Sequence, residues 1–170
     1  MEIELSVIEA FVPLYSPKRI KSFFGGRGAA KSQEVAKHLV YKVAFFGEKW
    51  VCAREFQNSI EDSSYSLLVH KIYELGIEDQ FEIQATKILH KNNGGKFDFV
   101  GLARNIMSFK SKFGYNGMWV EEAETVSKLS WDTLIPTIRE EDSEIIATWN
   151  TGDTGSHTYQ LLAAPYIDEI

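Results

Sequence analysis

A glycine-rich run that ends in lysine and serine contains the residue types that bind phosphate. Residues 25–32 read Gly-Gly-Arg-Gly-Ala-Ala-Lys-Ser, one residue away from G-x-x-x-x-G-K-[ST], because Ala30 stands in place of the second glycine. Glycines let backbone N–H groups converge on phosphate oxygens, and a following helix points its positive N-terminal dipole at the same charge. We therefore expect Lys31 to reach the β- and γ-phosphates of a nucleotide and the Ser32 hydroxyl to bind Mg²⁺.

Ala30 is the one departure from this pattern. Alanine is the smallest possible change, and we expect Ala30 to adopt the helical backbone conformation of a residue at the start of a helix. The alternative interpretation is a glycine-rich turn that only joins a strand to a helix. The residues expected to bind the nucleotide are Gly25, Gly26, Arg27, Gly28, Ala29, Ala30, Lys31 and Ser32.

Two acidic residues follow an apolar segment further along the chain. Residues 118–120 read Met-Trp-Val and lead directly into Glu121 and Glu122. In a nucleotide hydrolase, the first acid orients the Mg²⁺ shell and the second polarises the attacking water. An acidic pair after a strand is also common at protein surfaces. Its position downstream of a phosphate loop makes Glu121 the candidate metal ligand and Glu122, with Lys31, a candidate catalytic residue.

Hydropathy patterns predict the elements that position these groups. Apolar residues recur at helical spacing after Lys31 until Gly47, and Asn92-Asn93-Gly94-Gly95 is a hairpin signal. Alternating strands and helices predict an α/β domain, with a largely parallel central sheet flanked by helices and an antiparallel hairpin insertion. We expect strands at 19–24, 49–54, 87–90, 96–100, 117–121 and 145–149, and helices at 31–46, from Ser59 to Gly76 and at 131–138.

Composition limits the class of protein. The chain has 170 residues, 44% apolar and 25% charged, which predicts one compact domain over residues 1–170. A single cysteine, Cys52, excludes an intrachain disulfide, and the four histidines lack the spacing of a zinc site. No uncharged apolar run approaches the roughly 20 residues of a membrane helix, so no membrane partner is expected.

Charge is strongly segregated along the chain. Residues 18–54 contain nine Lys/Arg and two acids, a balance of +7, and residues 87–112 contain six Lys/Arg and one acid, a balance of +5. Residues 113–170 contain two basic residues and eleven acids, a balance of −9. Such blocks are typical of a fold with a phosphate-facing region and an acidic region, or of solvated faces. The overall charge of −6 does not fit a general nucleic-acid coat.

Several motifs in order resemble a known family, the large terminase subunit of tailed bacteriophages, whose N-terminal ATPase domain drives DNA packaging. The similarity covers about residues 20–150. The matching runs are Phe24–Gly28, Ala53–Ser59 with Asp62 and Ser63, Phe99–Leu102, Trp119–Ala123, Leu134–Arg139 and Thr148–Asn150. Family members usually continue the last run with Asn-Pro, whereas Thr151 follows Asn150 here.

The resemblance implies a P-loop NTPase fold, with ATP and Mg²⁺ as cofactors. It implies hydrolysis that powers translocation of double-stranded viral DNA into a procapsid, in the cytoplasm of the bacterial host. The implied partners are double-stranded DNA, the portal protein and the small terminase subunit. The implied assembly is a homo-oligomeric ring, while the net charge of −6 predicts that the isolated subunits are monomers in solution. The family also carries a nuclease domain, for which residues 1–170 leave no room.

The resemblance also implies roles for individual residues. Arg27 would stabilise transition-state charge or signal between motor parts, and Thr148 with Asn150 would couple hydrolysis to movement. Residues 15–19 would contact adenine. The alternatives are a solvated loop arginine and an ordinary pair of turn residues. Arg54, at a strand end, is expected either to point to the nucleotide or to pair with an acid such as Glu55.

Two other functions stay open at this point. One is a different DNA-dependent P-loop ATPase, helicase- or recombinase-like, and the other is an inactive prophage remnant that binds nucleotide without turnover. Several basic residues near the hairpin have the charge to meet a phosphate backbone, or form a solvated surface. They are Lys91, Lys96, Arg104, Lys110 and Lys112.

Overall fold

A computed structural model describes residues 6–56, 64–104 and 114–167. Its centre is a seven-stranded sheet. The strands are β1 (Ile20–Phe24), β2 (Lys49–Arg54), β3 (Phe81–Gln84), β4 (Lys87–His90), β5 (Lys96–Gly101), β6 (Gly117–Glu121) and β7 (Glu144–Trp149). Their order across the sheet is β1-β7-β6-β2-β5-β4-β3. The first five strands in this order are parallel to their neighbours, and β4 and β3 extend the sheet in antiparallel pairing.

Helices connect these strands. The α-helices are α1 (Lys31–Phe46), α2 (Ser64–Glu74), α3 (Lys128–Thr137), α4 (His157–Leu162) and α5 (Ala164–Ile167). Short 3-10 helices occupy Glu9–Tyr15, Glu78–Gln80 and Ala123–Thr125. Within the described residues, no helix combines the length and the apolar character needed to cross a bilayer.

The sheet buries both of its faces. Successive residues of β2 alternate between two apolar cores, because side chains along a strand point to opposite faces. Trp50 and Cys52 pack with α1 and α2 on one face, and Val51 and Ala53 pack with α3 and α4 on the other. A sheet covered on both faces is the expected environment of parallel strands.

The predicted fold class is confirmed, with one change to the hairpin. The strands around Asn92–Gly95 do form an antiparallel pair, but β5 also pairs in parallel with β2. The hairpin therefore extends the central sheet at its edge, and β3 adds one more strand that the sequence analysis missed. Asn93 also donates from Nδ2 to Val43 O and Ala44 O, at 3.0 and 2.8 Å, and so satisfies carbonyls at the end of α1.

One predicted helix start differs from the structure, and another is not tested by it. The start predicted at Ser59 and Asp62 lies outside the described residues, and the described part of α2 runs from Ser64 to Glu74. The helix predicted at 131–138 begins earlier, at Lys128, because the Ser127 hydroxyl caps it by accepting from Ser130 N at 3.2 Å. Helices α4 and α5 were not predicted.

The phosphate-loop prediction for Ala30 is wrong in one respect. Ala30 precedes α1 in the left-handed region, with φ 56° and ψ 7°, and not in the helical conformation expected for it. An L-residue with a Cβ pays about 1–2 kcal/mol for that conformation, whereas glycine does not. Backbone conformation therefore explains why the usual motif has glycine at this position. Ala30 adopts the same left-handed conformation, but under strain.

We expect Ala30→Gly to stabilise the nucleotide-free protein. Relief of left-handed strain outweighs the extra chain entropy of glycine, so the free energy of unfolding should rise by up to about 1 kcal/mol. Urea denaturation measures it. Ala29→Gly is the matched control, because Ala29 has no positive φ, and this variant should be no more stable than the original chain. Equal destabilisation by both substitutions would contradict the strain at Ala30.

Candidate functional site

A cleft of about 680 Å³ lies where four parallel strands end. The carboxyl ends of β1, β7, β6 and β2 meet at one edge of the sheet, which is where α/β proteins bind ligands. The volume is in the ordinary range for small-molecule sites. The cleft is lined by residues 27–33, by Glu121, Glu122 and Glu124, and by residues 148–150.

Lys31 lies at the centre of a cluster of oxygens. Its Nζ donates to Gly25 O at 3.1 Å, to Gly26 O at 2.8 Å and to Asn150 Oδ1 at 3.3 Å. An ammonium group has three donors, and here they meet three neutral oxygens. These contacts hold the ammonium group at the loop without neutralising its charge.

The start of α1 is also suited to an anion. Ala30 at the N-cap has no side chain that can accept a hydrogen bond from the first turn. The first N–H groups of a helix lack intrahelical partners, and together with the helix dipole they attract phosphate. Arg27 lies on the wall of the same cleft with an exposed side chain.

Ser32 and Glu121, the two predicted metal ligands, lie side by side. The Ser32 hydroxyl and the Ser64 N–H lie close enough to the Glu121 carboxylate to favour its ionised form. Burial raises the pKa of Glu121, and Glu122 adds to this, while Arg54 and the two polar groups of Ser64 and Ser32 oppose it. Glu121 Oε2 is buried and accepts no hydrogen bond from the described residues.

This pair fits Mg²⁺. Magnesium is usually bound through one or two protein oxygens, with water and substrate phosphates completing the shell. A hydroxyl beside a buried carboxylate oxygen without a donor is such a pair, and a cation there would compensate the buried charge. Within the described residues, no three His, Cys, Asp or Glu side chains converge on a common metal position.

Glu122 has an unusual backbone and a cationic partner. It lies in the left-handed region with φ 51°, and its side chain is 54% exposed at the cleft. Arg54 Nη2 pairs with Glu122 Oε1, and Arg54 Nε lies 3.6 Å from Glu121 Oε2. Arg54 thus bridges the two acids at the end of β6, which agrees with the expectation that it pairs with an acid.

The two predicted coupling residues have different surroundings. Asn150 projects into the cleft, between Lys31 and Glu124. Thr148 lies beside Glu121 in the β6–β7 register, but its side chain is buried and its Oγ1 accepts from Trp119 Nε1 at 2.9 Å. Thr148 therefore fixes neighbouring strands, and Asn150 is the member of the pair that contacts Lys31.

Arg19 has a structural role in place of the adenine contact predicted for residues 15–19. Its guanidinium donates to carbonyl oxygens of Ile135 and Ile138 at the end of α3, and to Ser143. Arg19 directly precedes β1, whereas the phosphate loop follows that strand. It therefore lies at the opposite edge of the sheet from the cleft.

The basic residues near the hairpin are partly engaged within the protein. Lys91 donates to Asp79 O at 2.7 Å, and Lys96 pairs with Asp98 at 2.6 Å. Arg104 is exposed. The remaining members of the predicted phosphate-backbone set, Lys110 and Lys112, lie outside the described residues.

The sequence of this chain is similar to sequences of known proteins. A family model described as phage terminase large subunit matches residues 17–169. The PBSX phage terminase large subunit of Bacillus subtilis (strain 168) is 27% identical over 139 residues, which cover 80% of this chain and 32% of that protein. The chain therefore matches about a third of this relative's length.

Solved structures show the same fold. The N-terminal domain of the DNA packaging ATPase from bacteriophage phi29 superposes with a TM-score of 0.69 at 12% identity, covering 91% of this chain and 84% of that one. The large terminase ATPase domain of Thermus phage P74-26 gives a TM-score of 0.63 at 15% identity, covering 86% and 64%. The fold is that of a P-loop NTPase, and the chain belongs to the phage terminase large subunit family.

Proposed function

We propose that this chain hydrolyses ATP and thereby powers translocation of double-stranded viral DNA into a procapsid. The observation that carries the proposal is the meeting of Lys31, the Ser32–Glu121 pair and Glu122 in one cleft at the strand ends. Phosphoryl transfer depends mostly on positioning and charge neutralisation, and these groups supply both.

Each residue has a defined task in this proposal. The loop amides and Lys31 hold the phosphates, and Ser32 with Glu121 would hold Mg²⁺, which when bound neutralises phosphate charge. Glu122 orients the attacking water and accepts its proton, for which its carboxylate must leave the ion pair with Arg54. Arg27, exposed on the cleft wall, adds positive charge towards the transferred phosphate.

The wider setting follows from family membership and is part of the same proposal. Residues 1–170 form a single ATPase domain in this proposal. It works in the cytoplasm of the bacterial host, as one subunit of a homo-oligomeric ring with the portal protein, the small terminase subunit and DNA. The phi29 protein of the same fold is a DNA packaging ATPase, and this similarity supports the setting.

Ala30 favours one other candidate, a domain that binds nucleotide without turnover. Its strained left-handed backbone lies within the phosphate loop itself, where a small shift would displace amides from the phosphates. A steady-state ATPase assay separates the two candidates. Release of phosphate that requires Mg²⁺ and Lys31 supports the hydrolase, and tight ATP binding without release supports the inactive remnant.

Lys31→Ala should lower both ATP affinity and ATP hydrolysis. The substitution removes the cation that the structure holds beside the phosphate loop. Equilibrium binding of ATP and a phosphate-release assay measure the two effects. Lys128→Ala is the matched control, because Lys128 is exposed and pairs with Asp132 away from the cleft. Normal turnover in Lys31→Ala would refute the site.

Glu122→Gln and Glu121→Ala should fail in different ways. Glu122→Gln should still bind Mg²⁺·ATP but hydrolyse it at least roughly 10²-fold more slowly, because glutamine cannot take the proton from water. Glu121→Ala should need more Mg²⁺ to reach its maximal rate. The exposed Glu141→Gln is the control. If Glu121 proved necessary for water activation and Glu122 dispensable, the two roles would be reversed.

Hydrolysis should depend on assembly. Net charge of −6 should keep subunits apart in solution, and the portal or DNA should bring basic and acidic blocks of neighbours together. We expect slow ATPase in the isolated monomer and a faster rate with assembled portal. Arg27→Ala should reduce that rise more than it reduces nucleotide binding, and the exposed Arg139→Ala should not. A rate per subunit that is fast and constant at every concentration would exclude this dependence.

A further inference from the structure

Glu124 lies in the cleft, although it belongs to none of the motifs recognised in the sequence. Its Oε1 accepts a hydrogen bond from Asn150 Nδ2 at 3.2 Å. The other end of the same carboxamide, Asn150 Oδ1, accepts from Lys31 Nζ at 3.3 Å. Three side chains thus form a continuous hydrogen-bonded chain from an acid to the phosphate-binding lysine.

Only one direction of hydrogen bonding is possible along this chain. An ionised carboxylate only accepts and an ammonium only donates, whereas a carboxamide has one accepting end and one donating end. Asn150 therefore satisfies both neighbours in a single orientation, with Nδ2 towards Glu124 and Oδ1 towards Lys31. If the carboxamide turned over, a donor would face the ammonium and an acceptor would face the carboxylate.

Glu124 lies in a turn whose backbone is fixed by several hydrogen bonds. The 3-10 helix Ala123–Thr125 is closed by Thr125 N and Thr125 Oγ1, which donate to Glu122 O at 3.0 and 2.9 Å. Thr158 Oγ1 on α4 donates to Ala123 O. Glu124 Oε2 is buried and has no hydrogen-bond partner among the described residues. The carboxylate is thus held within the protein by its turn.

We infer that Glu124 is a positioning residue of the phosphate site, which fixes the Asn150 carboxamide so that its oxygen holds the Lys31 ammonium in place. The inference rests on the proposed function of the cleft as an ATP site. A lysine that is already held in place loses less conformational freedom when the nucleotide binds. The hydrogen bond to Asn150 should therefore raise nucleotide affinity. Glu124 itself needs no contact with the nucleotide.

Two neutral substitutions of Glu124 separate the hydrogen bond from the charge. Glu124→Gln and Glu124→Ala both remove the negative charge, but only glutamine keeps an acceptor for Asn150 Nδ2. Calorimetric titration with Mg²⁺ and the non-hydrolysable analogue AMP-PNP should show weaker binding for the alanine variant than for the glutamine variant. A difference of about threefold or more is expected from one hydrogen bond. Glu141→Ala should bind like the original chain.

The same comparison in an Asn150→Ala background tests whether Glu124 acts through Asn150. The difference between alanine and glutamine at position 124 should then disappear. Equal affinities of the two Glu124 variants in the original background, or a difference that persists without Asn150, would overturn the inference.

A second measurement needs no nucleotide. Asn150→Asp places two carboxylates against each other across the 3.2 Å contact and should lower the melting temperature. Adding Glu124→Gln restores a donor opposite Asp, leaves the net charge unchanged from the original chain, and should recover most of the loss. If the two substitutions instead lowered the melting temperature additively, the contact between Glu124 and Asn150 would be refuted. Failure of the unsubstituted chain to bind AMP-PNP would count against the proposed function, while this measurement still decides the contact.

Discussion

The parallel register of β1, β7, β6 and β2 is the constraint on which the site depends. It places Phe24 beside Trp149, and Glu121 beside Thr148, so the residues after each strand end at one edge. A shift of one residue would turn every side chain of a strand to the opposite face. Groups far apart in the sequence therefore meet at the cleft because of backbone pairing, and the side-chain contacts between them add precision to that arrangement.

Buried tryptophans fix this register next to the cleft. Trp119 Nε1 on β6 donates to Thr148 Oγ1 on β7, and Trp149 Nε1 on β7 donates to Ser22 Oγ on β1, both at 2.9 Å. A buried indole N–H without an acceptor costs about 1–3 kcal/mol, so each bond opposes sliding of one strand along the next. The first of these bonds gives a role to the buried Thr148, which lies two residues before Asn150.

Sequence patterns predicted the parts of the site that depend on local structure. The loop, α1, β2 and β6 follow from glycine spacing and apolar periodicity, and the structure has them at the expected bounds. The partners of Arg54 and the location of Glu124 could not be predicted, because they require knowing that β2 and β7 both flank β6. The short β3 was missed since its four residues form a strand only by pairing with β4. The left-handed Ala30 was missed because alanine carries no local signal for positive φ.

The backbone at Glu122 shows why strain is concentrated at the cleft. In a regular strand, adjacent side chains point to opposite faces, so Glu121 and Glu122 would not both line one cleft. Positive φ at Glu122 turns the chain out of β6, and the following 3-10 helix returns Glu124 to the same cleft. Glycine would relieve the strain but remove the carboxylate. A left-handed glutamate is therefore the arrangement that brings three acids within four residues to one site, at a conformational cost of about 1–3 kcal/mol that the surrounding sheet sustains.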